Sequence, residues 1–279
     1  VGFPPNATVE DRDVDGRVRV RFNTLAAADV TTLPDAGGDV FSTTPARTAS
    51  STPDSVLAAG TANSAASTDG LDPGDYPLTV RPGSNASAAA TTAGVLTLRQ
   101  PSPRALDTWV APADATFSNP AAVSDAVAAG RLTNITEVAA GDTVVHRIVA
   151  PGVAGAFAAE TGPTTEAFFG LAGSSDRARY TLNVTQRDPD ANRNGYRLRL
   201  NNTSARVVAD TANDTYFVIY RSDGPAAAPW NGTAETGPPE AGAPAAGDSL
   251  SAEFTVSPDD PFTGLERAER RVTAAHSLV

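Results

Sequence analysis

The sequence predicts an all-β protein of tandem β-sandwich domains, the second with one or two short helices. Apolar and polar residues alternate over short runs, the period-2 signature of strands covered on one face. Joints rich in Gly, Pro, Asp and Asn separate these runs, and those residues turn a chain. Strands alternating regularly with helices, as a parallel α/β sheet needs, are not seen.

A length of 279 residues leaves room for two domains. The best break is RQPSPRAL, residues 99–106, where two prolines follow the alternation of GVLTLR. We therefore expect one module over 1–103 and a larger one over 104–279. In the first, strands are read at Arg17–Asn23, Asp39–Ser42, Tyr76–Val80 and Val95–Arg99. In RVRVRF, Val18, Val20 and Phe22 point towards a core and Arg17, Arg19 and Arg21 towards water. Residues 43–70 are poor in bulky apolar side chains and read as a surface excursion with a weak strand at Ser55–Ala58.

In the second module strands recur at Thr143–Ala150, Arg179–Gln186, Tyr196–Leu200, Ala205–Ala209, Thr215–Arg221, Ser249–Val256 and Arg271–Val279. NPAAVSDAVAAGRL reads as a helix. Asn119 caps it, Pro120 suits the first helical position, Gly130 follows the end, and Val123 and Val127 form one apolar stripe. GVAGAFAAE, residues 152–160, reads as a second, shorter helix, and residues 222–248 as a long loop around Trp230. The chain begins VGFPPNATVE, without the basic and apolar regions of a signal peptide, and ends RRVTAAHSLV, which reads as a strand cut short. Both ends suggest a segment of a longer protein.

All 21 basic residues are Arg, against 32 acidic ones, for a net charge of -11; Lys, Cys and Met are absent. At about 1 M salt the Debye length is about 3 Å, so a crowded acidic surface repels itself little there. In dilute buffer the same charge opposes the compact state. This composition predicts a halophilic source. It argues against nucleic acid as a partner, since the basic run ERAERR is interrupted by acids. No apolar run approaches the length of a membrane span. Without Cys there is no disulfide framework, thiolate metal site or cysteine nucleophile.

Eight of the thirteen asparagines open an N-x-S/T triplet, the acceptor pattern for N-linked sugar: Asn6, Asn85, Asn134, Asn183, Asn201, Asn202, Asn213 and Asn231. That is well above random placement. Asn201, Asn202 and Asn213 fall in the turns between successive predicted strands, where sugars would hydrate exposed edges and leave the packing faces free. Asn183, within YTLNVTQ, is expected to face outward with Thr181 and Thr185.

Catalytic signatures are missing: no G-x-S-x-G elbow, no H-E-x-x-H and no phosphate-cradling glycine loop. His146 shares a strand face with Val144 and Ile148 and reads as a packed or half-exposed strand residue; His276 lies near the end of the chain. Two acidic turns resemble the first half of a calcium loop. DRDVDG places Asp11, Asp13 and Asp15 before Gly16, and DPDANRNG places Asp188, Asp190, Asn192 and Asn194 before Gly195. Neither supplies the Glu such a loop needs at its twelfth position, where Phe22 and Asn201 stand, so ligands for calcium would have to come from elsewhere. The competing reading is a tight hairpin turn. No other cofactor is expected.

The strings GDTVVHRIVAPGVAGAF, TTEAFFGL, YTLNVTQRDPDANRNG and VVADTANDTYFVIY resemble the secreted surface glycoproteins of halophilic archaea, S-layer-like proteins that carry the so-called BGTF surface domain. NATVEDRDVDGRVRVRFNT and LDPGDYPLTV are similar to the Ig-like module that precedes that domain, and LDTWVAPADATF to the junction. The resemblance covers most of the chain, with residues 43–70 departing from it. It implies tandem Ig-like β-sandwiches in a structural, non-catalytic coat protein of the extracellular cell surface. Its partners would be other copies of itself or neighbouring surface proteins, together with N-linked glycans. An adhesin or filament subunit is the alternative and requires an apolar patch or open edge strand; a secreted hydrolase is more remote and requires a cleft with convergent polar groups.

Overall fold

A computed structural model describes residues 6–12, 17–22, 41–43, 55–60, 74–83, 89–99, 101–160, 162–172, 180–189, 195–230, 244–256 and 270–279. The described residues form two compact units, one before Pro101 and one from Pro101 onward. Both are built on β-strands.

The described strands of the smaller unit form antiparallel pairs. β1 (Asn6–Glu10) pairs with β4 (Ser55–Gly60), β2 (Val20–Phe22) with β3 (Phe41–Thr43), and β5 (Gly74–Val80) with β6 (Thr91–Leu98). Phe22 and Phe41 are register partners and their rings stack at 5.0 Å. None of the unit's described residues is fully buried. The face expected from Val18, Val20 and Phe22 is covered only in part: Val18 and Phe22 are half-buried, while Val20 is 43% exposed. A strand of three residues with one described neighbour presents too little surface to close a core.

The larger unit holds the core. Its described strands make a four-stranded sheet ordered β12-β13-β9-β7 and a six-stranded sheet ordered β14-β11-β10-β15-β16-β8. The first sheet contains β7 (Ala105–Ala111), β9 (Thr143–Val149), β12 (Ala205–Asp210) and β13 (Thr215–Arg221). The second contains β8 (Glu137–Val138), β10 (Tyr180–Gln186), β11 (Gly195–Leu198), β14 (Ala227–Trp230), β15 (Ser249–Val256) and β16 (Arg270–Leu278). All pairings are antiparallel except β16 with β8.

Register and pleat fix what lies between the sheets. Ile148 is opposite Leu106 and Tyr216, His146 opposite Thr108 and Val218, and Val144 opposite Val110 and Tyr220. Alternate residues of a strand share a face, so these nine side chains form one inner surface. Opposite it stand Tyr180, Val184, Leu250, Ala252, Phe254, His276 and Leu278, all buried. The other face of the four-stranded sheet is covered as well. Val145, Val208, Ile219 and Ala111 pack with Phe117, Val123, Ala126 and Leu132, which belong to the helix Pro120–Ala128 and its flanks. The architecture is thus helix on sheet on sheet.

That helix begins as its sequence dictates. The Asn119 side chain accepts a hydrogen bond from Ala122 N at 2.9 Å, Pro120 takes the first turn, and Gly130 follows the end at φ +67°. Its buried stripe differs from the expected one. Val123 and Ala126 are 2% exposed but Val127 is 38% exposed, because the seam runs at a spacing of three and the small Ala126 lets the helix approach the sheet.

Two further helices, Ala154–Ala159 and Thr164–Leu171, close one end of the sandwich with aromatic rings. Phe157 lies 4.9 Å from Tyr216 of one sheet and 6.5 Å from Tyr180 of the other, between ring centroids. Phe168 meets Tyr180 at 5.0 Å, and the Tyr180 hydroxyl donates to Phe168 O at 2.8 Å. Gly152 leads into this plug at φ +93°, and a Cβ there would sit 2.8 Å from Pro101 Cα. Gly152→Ala therefore combines left-handed strain with a backbone clash. We expect a loss of about 2 kcal/mol or more, read from denaturant midpoints in molar salt.

Candidate functional site

Both histidines of the chain meet inside the sandwich. His146 on β9 and His276 on β16 come from facing sheets, with ring centroids 5.6 Å apart and exposures of 0% and 2%. His146 Nδ1 pairs with Thr108 Oγ1 at 3.3 Å, and Nε2 with the Tyr220 hydroxyl at 2.9 Å. A neutral imidazole has one donor and one acceptor, so the ring donates to one of these neighbours and accepts from the other. His276 has no hydrogen-bond partner on either nitrogen among the described residues. Burial lowers the pKa of His146 well below the usual imidazole value, with the His276 charge a second cause, and lowers that of His276 to about 4. Burial also raises the Tyr220 hydroxyl. The cluster is therefore a neutral packing unit at ordinary pH. Among the described residues no carboxylate hydrogen-bonds either ring to orient a base, and both rings are buried away from a substrate.

Sequence reasoning placed His146 on the correct strand face but missed Thr108 and Tyr220 as its partners. Thr108 lies in ALDTWVA, where Leu106, Thr108 and Val110 alternate with Asp107 and Trp109. That alternation was a usable strand signal, overshadowed by the prolines just before it.

The described acceptor asparagines of the larger unit lie apart from this interior. Asn201, Asn202 and Asn213 are exposed at joints between strands, and Asn134 is exposed between the helix Pro120–Ala128 and β8. Asn6 opens β1, opposite Gly60. Asn183 sits within β10, half-buried on the outer face of the six-stranded sheet, and its Oδ1 accepts from Arg197 Nη1 at 3.2 Å. Arg197 in turn lies 4.7 Å from the centre of the Trp230 ring. Asn85 and Asn231 lie outside the described residues.

Of the two acidic turns, Asp11 is half-buried after β1 and Asp188 is exposed after β10. Asp13, Asp15, Asp190, Asn192 and Asn194 lie outside the described residues. Among the described residues no group of three or more His, Asp or Glu side chains is arranged to hold a metal. A different carboxylate is well satisfied: Asp248 accepts from Gln186 Nε2, the Tyr196 hydroxyl and Ala245 N, each at 2.8 Å, and so locks β10, β11 and the approach to β15 together. No described helix is long and apolar enough to cross a membrane.

The larger unit is thus a β-sandwich with a helix on one face, and four of its acceptor asparagines stand on the surface. Comparison with known proteins gives its relatives. The chain is 32% identical to a cell surface glycoprotein of Haloferax gibbonsii over 80% of its length and 23% of that protein. It is 30% identical to cell surface glycoprotein 1 and to cell surface glycoprotein 2 of Haloarcula hispanica, each over 75% of this chain and 24% of the relative. Over most of its length the chain is therefore similar to part of the haloarchaeal cell surface glycoproteins, a likeness that sets it at the cell surface. The chain spans about a quarter of the length of the curated relatives it matches. No protein-family model matches it. No solved structure matches it either.

The histidine pair makes stability depend on pH. Folding keeps both rings neutral, whereas the unfolded chain takes up protons below about pH 6.5. Stability is therefore complete above that pH and declines as the pH falls towards 4. His276 alone contributes a loss of about 3 kcal/mol once both states are protonated. In His276→Leu, of similar volume and without a titrating group, the decline between pH 6.5 and 4 is expected to be shallower by up to that amount. Denaturant midpoints across pH at constant molar salt measure it; parallel profiles for parent and variant would show that the ring does not titrate on unfolding.

Proposed function

We propose that the chain is a structural, non-catalytic part of an S-layer-like coat, built from tandem β-modules and carrying N-linked sugar on its outer joints. The observation that carries this reading is the separation of interior from surface in the larger unit. Its histidines and tyrosines close on one another in a neutral core, while four described acceptor asparagines stand exposed in connections between elements. A hydrolase needs titrating groups that reach a substrate, and here the imidazoles are shut away between the sheets. The names of the relatives support the cell-surface setting; self-association and the coat itself are our inference. Electron microscopy of native envelopes carrying an epitope-tagged version of the full protein is the test. The tag should follow a periodic two-dimensional array. Tagged protein scattered as isolated particles between untagged arrays would overturn the coat reading.

The charge balance adds a second expectation. With a net charge of -11 and no Lys, self-repulsion is relieved as salt rises. Thermal melts from dilute buffer to molar KCl should show Tm increasing, by about 2–4 °C for each kcal/mol of repulsion removed. A Tm that stays flat or falls would remove the halophilic component of this reading.

A further inference from the structure

Asn201 and Asn202 head overlapping acceptor triplets, one ending in Thr203 and the other in Ser204. We infer that the sugar is carried by Asn201, because the turn presents its amide for transfer and ties up the hydroxyl that Asn202 needs. This inference rests on the reading of the chain as a glycoprotein.

The turn after β11 is organised around one oxygen. Asn201 Oδ1 accepts from Thr203 N at 2.9 Å, Thr203 Oγ1 at 2.7 Å and Ser204 N at 3.0 Å. Thr203 is the hydroxyl residue of the Asn201 triplet, so its hydroxyl already points at the acceptor's own carbonyl. With three donors on Oδ1, the amide's other end, Nδ2, is left without a protein partner among the described residues, on an exposed residue. The Asn202 triplet ends in Ser204, whose hydroxyl is committed elsewhere. Ser204 Oγ donates to Arg199 O at 3.1 Å and accepts from Asn201 N at 3.1 Å. Ser204 is also half-buried, so the hydroxyl faces the turn rather than the Asn202 side chain.

This difference bears on the chemistry. An amide nitrogen is a weak nucleophile because its lone pair is delocalised onto oxygen. In the transfer, Nδ2 gives up one proton to a base of the transferring enzyme and bonds to C1 of a sugar. The bond from C1 to the phosphate oxygen of a lipid-linked oligosaccharide breaks, and the lipid phosphate leaves with the electron pair. Negative charge collects on Oδ1 as the proton departs, and donors fixed on that oxygen stabilise it. Asn201 has them in place in the folded turn.

Asn213 and Asn183 lack this arrangement. Asn213 Nδ2 donates to Asp210 Oδ2 at 2.7 Å, and the Thr215 hydroxyl donates to the Asn213 backbone carbonyl at 3.0 Å. In Asn213 the reacting nitrogen itself is engaged. Asn183 is held on the sheet by Arg197.

Cleavage after Arg199 and Arg206 releases the peptide Leu200–Arg206, which contains both asparagines and no other acceptor. The full protein would be produced in a haloarchaeal host as parent, N201Q, N202Q and T203V. Intact-glycopeptide mass spectrometry with electron-transfer fragmentation would locate the sugar. We expect it on Asn201 in the parent and at parental occupancy in N202Q. Occupancy should fall at least tenfold in N201Q and T203V, although both keep an intact N-x-S triplet at Asn202. Sugar on Asn202 in the parent, or undiminished occupancy in N201Q, would overturn the assignment. A bare Leu200–Arg206 peptide beside modified peptides elsewhere would also overturn it while leaving the glycoprotein reading intact. A chain without sugar at any triplet would sink both.

Discussion

β9 is buried on both faces, and the larger unit is arranged around that fact. Val144, His146 and Ile148 turn towards the second sheet and Val145 towards the helix Pro120–Ala128; all four are 0% exposed. A strand with two apolar faces needs cover on each side, so two layers do not suffice. The helix supplies the third with small residues, which is why Ala126 rather than Val127 lies at the seam. On the face between the sheets a polar side chain must find its partners within the protein. His146 is tolerated because Thr108 and Tyr220 on the neighbouring strands satisfy its two nitrogens. The same burial keeps the ring neutral, so the requirement for packing and the resistance to protonation have one cause.

The edges of the four-stranded sheet are closed by the protein itself. At β12, Val207 N donates to Thr165 Oγ1 at 2.9 Å, placing the start of the helix Thr164–Leu171 against the strand. At β7, Val110 N donates to Thr133 O at 2.8 Å and Thr133 N returns a bond to Val110 O at 3.0 Å. Each plug meets its strand at a residue whose N–H and C=O point away from the neighbouring strand. The six-stranded sheet ends in β14, with Pro229 among its four residues, and in the two-residue β8. Short strands and proline are ordinary ways to blunt an edge.

Much of this was legible in the sequence, for reasons that particular residues show. β9, β10, β12, β13 and β15 were visible because their apolar residues are dense and β-branched or aromatic. The first helix was visible because Asn119, Pro120 and Gly130 mark its ends by local chemistry that needs no tertiary partner. Elements that depend on distant partners were not. β14, AAPW, has neither alternation nor length, and exists because it pairs with GYRL of β11. β8 is two residues held by the end of β16. The helix Thr164–Leu171 was recognised only as a family string; its Phe168 and Leu171 are buried by the aromatic plug, which brings together residues far apart in the chain. Val20 shows the converse: perfect alternation in RVRVRF predicted a buried face, and burial did not follow because the pair β2–β3 is short. At the acceptor sites the sequence supplied the triplets, but the choice between Asn201 and Asn202 depends on where a single hydroxyl points.

The edges of the four-stranded sheet are met by Thr165 and Thr133 rather than by the exposed acceptors. The exposed acceptors occupy the joints instead, and the joints carry a different burden. Asn201 and Asn213 stand in turns that enter β12 and β13, the edge strand and its neighbour. Their side chains already organise those turns, through Oδ1 in Asn201 and through Nδ2 to Asp210 in Asn213. A glycan on Asn201 Nδ2 leaves all three turn bonds intact, because they converge on Oδ1. A glycan on Asn213 Nδ2 must displace a bond to an acidic side chain. Modification at Asn201 is thus compatible with the folded turn as it stands, whereas modification at Asn213 requires the turn to rearrange or to be modified before β12 and β13 pair. The two joints differ in which end of the same side chain the fold has taken.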